Sequence, residues 1–134
     1  MLNIITPYDE LSKEAEQIQS FCEITIGDNP QEIAERIADL GVYIARSGKM
    51  LADAKYHLNQ KKKDETVELI VNLISKDKLS AKVQNALIDS ICKDEQYLVD
   101  WIDRINRACT HQQDAMRSLL SYEKENLRIT KTGY

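Results

Sequence analysis

The residues of this chain best suited to chemistry are carboxylates three apart: Glu32 with Glu35, Glu65 with Glu68, and Asp100 with Asp103. Positions i and i+3 share a helix face, and two such pairs on neighbouring helices can hold Mg²⁺ through hard oxygen ligands for metal-assisted hydrolysis. The chain has 22 acids, so pairs at this spacing also arise by chance. Glu32 and Glu35 equally suit the first turn of a helix, where negative charge meets the positive end of the dipole. Cys109, His111 and Asp114 offer a nucleophile, a base and an acid, but residues two apart on a helix point in different directions. His57 is the only other histidine, and no second ligand pair has zinc spacing. Glycine-rich phosphate loops and nucleophile elbows are absent. No catalytic residue, metal ligand or cofactor is therefore assigned.

Two further groups suit binding. Tyr97 and Trp101 stand one turn apart with Arg104 close by, which makes either a stacking surface for bases or an aromatic packing patch. Arg117, Ser121, Lys124 and Arg128 follow 4-3-4 spacing, with Ser118 beside them. They form a continuous cationic, hydroxyl-bearing strip suited to phosphate or to a docking partner. Cations near a helix C-terminus also satisfy its dipole without any ligand.

The elements that position these residues are helices. Ile33, Ile37, Leu40, Ile44, Ser47, Leu51, Ala54 and Leu58 recur at spacings of four and three, a heptad stripe along one long helix. Beside it run Ala34, Ala38, Gly41, Ala45, Gly48 and Ala52, a flank nearly without side chains, against which another backbone is expected to pack closely. Pattern and capping residues predict helices over about residues 7–22, 30–62, 64–75 and 80–128. Thr6, Asn29, Asp64 and Ser80 are the expected N-caps, with Pro7 and Pro30 at first helical positions. Lys61, Lys62 and Lys63 close the second helix at its negative end. The third is apolar nearly all round (Val67, Leu69, Ile70, Val71, Leu73, Ile74) and is expected to be buried. In the last, Ile88, Ile91, Leu98, Ile102, Ile105, Cys109, Met116 and Leu119 keep heptad spacing, with Gln112 as a polar member. It is one helix or two, joined near Lys93-Asp94 or Thr110-His111. Residues 130–134 are expected to fray.

Length and composition agree with one all-α domain. The 134 residues include four glycines, two prolines and 30% charged side chains, a helical rather than sheet balance. The expected architecture is an elongated helical hairpin, an antiparallel coiled-coil-like bundle with short N-terminal and connecting helices. About 20 residues of the last helix should outrun its partner. With Gly41, Ala45, Gly48, Ala52, Ile102, Ile105, Met116 and Leu119 as packing positions, this predicts a homo-oligomer, dimer or tetramer. No apolar run is long enough to span a membrane and no secretory pattern opens the chain, so the expected location is the cytoplasm. Cys22, Cys92 and Cys109 are odd in number and widely spaced, as reduced core residues are. Net charge is −4, unevenly spread: residues 1–103 carry 12 basic and 19 acidic side chains, residues 104–134 carry 6 and 3.

The segment from Cys109 to Arg128 resembles the C-terminal segment of small all-helical proteins of tailed bacteriophages and prophages. Arg117-Ser118, Ser121, Lys124, Leu127 and Arg128 supply its pattern, and Gly41 to Tyr56 resembles the small-residue helix that precedes it. The resemblance covers about half the chain. Such genes often sit among recombination and replication functions, so it implies a non-catalytic accessory role in a bacterial host, near single-stranded DNA or its annealing protein. The alternatives are a Mg²⁺-dependent all-α nucleotide hydrolase built on Glu32, Glu35, Glu65 and Glu68, and an inhibitor of a host defence protein.

Overall fold

A computed structural model describes residues 4–76 and 80–132, and these are all-α. In chain order the helices are α1 (Tyr8–Glu23), α2 (Pro30–Lys62), α3 (Glu65–Lys76), α4 (Ala81–Ile91) and α5 (Lys93–Thr132). The expected caps form at three of four helices: Asn29 accepts from the Gln31 N–H, Asp64 from Thr66 and Ser80 from Val83. Thr6 does not cap α1. Pro7 holds that position without a side-chain cap, because both the amide and the hydroxyl of Thr6 are engaged by α2. The final helical segment is broken once, at Cys92, a buried residue whose N–H closes α4 on the Ile88 carbonyl and whose own carbonyl opens α5 by accepting from Gln96. No break occurs at Thr110-His111, and α5 continues through residues 130–132, which therefore remain helical.

α2 and α5 run antiparallel and form the hairpin. Lys61 pairs with Glu95 at one end, 3.0 Å, while Arg36 meets Gln112 and the Ile37 carbonyl meets Gln113 near the other. Leu40, Met50, Ala54 and Leu58 of α2 close on Leu98, Val99, Ile102, Ile105 and Cys109 of α5, and Leu11, Ala15 and Ile18 of α1 complete this core. Its apolar area removed from water is the main stabilising term.

α1 packs on the opposite side of α2 from the one the small residues suggested. Phe21 lies 4.8 Å from Tyr43 between ring centres, Glu14 pairs with Arg46 and Thr6 bonds Asp53, so α1 and the segment before it cover the flank of Arg36, Tyr43, Arg46, Met50 and Asp53. Ala34, Ala38, Ala45, Gly48 and Ala52 are exposed, and a Cβ added at Gly48 would meet nothing within 4 Å. Side-chain size allowed close approach here, but the larger side chains opposite supplied more area to bury, and α1 took that side. Gly41 alone is used within the chain. Gln113 Nε2 donates to the Ile37 carbonyl and would stand 3.3 Å from a Cβ at Gly41, so the missing side chain lets an amide reach the α2 backbone.

α3 and α4 form a small pair at the hairpin's closed end. Val67 is buried, but Leu69 and Leu73 are 61% and 54% exposed, so α3 is only partly covered. α2 and α4 reach one part of its surface, and no third layer of the described chain closes over the rest.

Candidate functional site

Among the described residues the candidate carboxylates do not converge. Glu32 and Glu35 lie exposed at the start of α2 and Glu68 lies exposed in α3 beyond its other end, with a helix of 33 residues between them, roughly 50 Å of rise. Asp103 pairs with Arg107 at 3.2 Å and Asp100 accepts from Gln96. Among the described residues no group of three or more His, Cys, Asp or Glu side chains is placed to hold a metal ion. The side chain of Glu65 lies outside the described residues, and Glu32, Glu35 and Glu68 do not assemble the cleft that hydrolysis requires. His111 is exposed while Cys109 is fully buried. His57 does more than complement a helix end: its Nε2 donates to the Thr6 carbonyl at 2.7 Å.

That bond belongs to a clasp that ties the segment before α1 onto α2. The Thr6 amide donates to Asp53 Oδ2 at 3.1 Å, Arg46 donates to the Thr6 hydroxyl at 3.0 Å and to both oxygens of Glu14, and Lys49 bridges the Ile4 carbonyl and Asp53. Burial opposes the charge on Asp53, but the hydrogen bonds from Lys49 and Thr6 outweigh it and hold the carboxyl below its ordinary range. A lowered native value means the ionised form stabilises the fold. The contribution is present above the unfolded value near pH 4 and lost as pH falls through the native one. Asp53→Asn is thus expected to be less stable than the parent chain at pH 7, with the gap closing below about pH 4. Thermal melts of both proteins from pH 2 to 7 check this, and a gap independent of pH would contradict it.

At the far end of α1 stands a second polar joint. Arg36 is 6% exposed and none of its hydrogen-bond partners is a carboxylate. Its Nε and Nη2 donate to Gln112 Oε1 at 3.0 and 2.8 Å, and Nη2 also donates to the Phe21 carbonyl at 2.8 Å. The guanidinium lies 4.1 Å from the centre of the Phe21 ring, and Gln112 Nε2 donates to the Cys22 carbonyl. α1 carries no basic residue in its last turn, so Arg36 supplies from a neighbouring helix the cation that end of the dipole favours. Beside this joint is a cleft of about 220 Å³ lined chiefly by Cys22, Ile26, Arg36, Met116 and Leu119. Gln112 had been legible as a polar member of the heptad stripe. Its partner Arg36, and Asn106, which bonds Ser47 and the Ile44 carbonyl, were not.

The remaining surface features lie on α5. The register set by Arg36–Gln112 and Ile37–Gln113 brings Pro30 opposite Ser118–Leu120. α5 thus outruns α2 by about a dozen residues, roughly 20 Å, less than the twenty expected because α2 starts further along it. On this overhang Tyr122, Leu127 and Ile129 are 63%, 53% and 59% exposed. Arg117, Ser121, Lys124 and Arg128 are all exposed beside them; Arg117 stands 4.0 Å from Asp114 and Arg128 pairs with Glu125. Of the packing positions, Ile102 and Ile105 are buried against α2, and Met116 and Leu119 are half-buried at the root of the overhang. Toward the other end of α5, Tyr97 and Trp101 are 6.3 Å apart between ring centres. They line an open depression with Asp100, Asp103, Arg104 and Arg107. Trp101 is fixed by donating to Gln19 of α1.

These elements define the class of the molecule: an all-α antiparallel hairpin clasped by α1, with the end of one arm uncovered by the other described residues. No family model matches the chain, and no curated protein or solved structure is similar to it. No helix among the described residues is long and apolar enough to cross a membrane.

Proposed function

We propose that this chain is a non-catalytic helical interaction module, an accessory protein of bacteriophage or prophage DNA metabolism, that docks a protein partner along the free end of α5. The observation carrying this reading is the overhang itself. Tyr122, Leu127 and Ile129 are exposed along a helix that has passed the end of its partner, with Arg117, Ser121, Lys124 and Arg128 exposed on it or at its root. An exposed amphipathic helix end is a helix-docking surface, and a second copy of the chain is the first partner to test. Light scattering on the full chain and on a chain ended after Leu119 is expected to show association in the first and, in the second, a monomer that has lost only the helix of the deleted residues. Monomers in both would overturn the assignment of self-docking to the overhang.

A second reading has its own support. Tyr97 and Trp101 beside Arg104 and Arg107 combine stacking faces with cations, the composition that single-stranded DNA favours. Anisotropy of labelled single-stranded DNA at low and moderate salt tests it. Binding that weakens with salt and drops at least tenfold in Arg117→Ala/Lys124→Ala/Arg128→Ala would extend the interface along α5. No binding at low salt leaves protein docking as the function.

A further inference from the structure

Cys22 and Cys109 lie 87 positions apart in the chain, yet their sulfurs meet at 3.5 Å where the last turn of α1 crosses the middle of α5. Both thiols are free. We propose that they form a redox-modification site at which a hydroperoxide converts the pair into an intramolecular disulfide that locks α1 to α5. Sulfurs in van der Waals contact need close by only about 1.5 Å to reach bonding distance. Cys22 is the penultimate residue of α1, followed by extended backbone at Ile24, so the helix end can supply that shift without disturbing the core.

The two thiols differ in access, and this orders the steps. Cys109 is fully buried, and burial together with the Cys22 contact pushes its thiol up to about 12, against the opposing effect of Arg36. Cys22 is half-buried on the wall of the Arg36 cleft, so the oxidant meets it first. The Cys22 thiol gives up its proton. Its thiolate then attacks the peroxide O–O bond, takes one oxygen as a sulfenic acid and releases hydroxide, which that proton neutralises. The Cys109 sulfur next attacks the Cys22 sulfur. An S–S bond forms, the S–O bond breaks, and the Cys109 proton leaves with the departing oxygen as water. Two thiols are oxidised by two electrons, and one hydrogen peroxide is reduced to two waters.

The test treats the full chain with a small excess of hydrogen peroxide. Expected are a mass loss of about 2 Da, free thiols falling from three to one, and a peptide map joining Cys22 to Cys109. The closed loop is long, so the melting temperature should rise by roughly 10 °C and return on adding a dithiol reductant. Cys92→Ala should respond like the parent, whereas Cys22→Ser and Cys109→Ser should show no rise. Three persisting thiols, oxygen added to Cys22 with Cys109 still free, or a disulfide linking two chains would each overturn the proposal.

Discussion

Ile102→Ala is expected to lower the unfolding free energy by about 3 kcal/mol, within the range for emptying a fully buried aliphatic site. Ile102 is completely buried within the cluster that joins α1, α2 and α5, so the hole opens where all three helices meet. None can collapse into it without losing contact with the others. The open flank of α2 should behave in the opposite way. Gly48 has no neighbour that a Cβ would strike, and Gly48→Ala removes a flexible residue from the middle of a helix, so it should stabilise by about 0.5–1 kcal/mol. Urea denaturation of the parent and both variants measures the contrast. A loss at Gly48→Ala comparable to that at Ile102→Ala would mean that the small-residue flank is packed against something in solution.

Arg36→Met should cost about 2–3 kcal/mol, although it replaces a charge with an apolar side chain of similar length. Burying an arginine is unfavourable by itself, and apolar replacement of buried ions can be neutral. Here, however, Arg36 serves the Phe21 carbonyl and Gln112 Oε1; methionine would leave the carbonyl with only the Ile24 N–H and Gln112 Oε1 without a donor inside the joint. The end of α1, which has no basic residue in its own last turn, would also lose the Arg36 cation. The argument predicts non-additivity: Arg36→Met/Gln112→Leu should cost less than the two single changes together, because the double variant removes an acceptor along with its donor. Additive losses would show that the two side chains act separately.

The sequence by itself determined the helices and the hairpin. Heptad spacing, three of the four caps and the scarcity of glycine and proline are local signals, and local hydrogen bonding answers to them. Ile102 and Ile105 were legible as core for the same reason, as was the excess length of α5. What lay beyond the sequence was which flank of α2 would receive α1. Two flanks of one helix are equivalent to a periodicity argument, and the choice fell to the larger side chains and to polar contacts spanning 32 and 47 residues, the Arg46–Glu14 ion pair and the hydrogen bond from the Thr6 amide to Asp53. The contacts of Cys22 with Cys109 and of Arg36 with Gln112 belong to the same decision. Their partners are 87 and 76 positions apart, and residues so distant become neighbours only when helix packing brings their faces together.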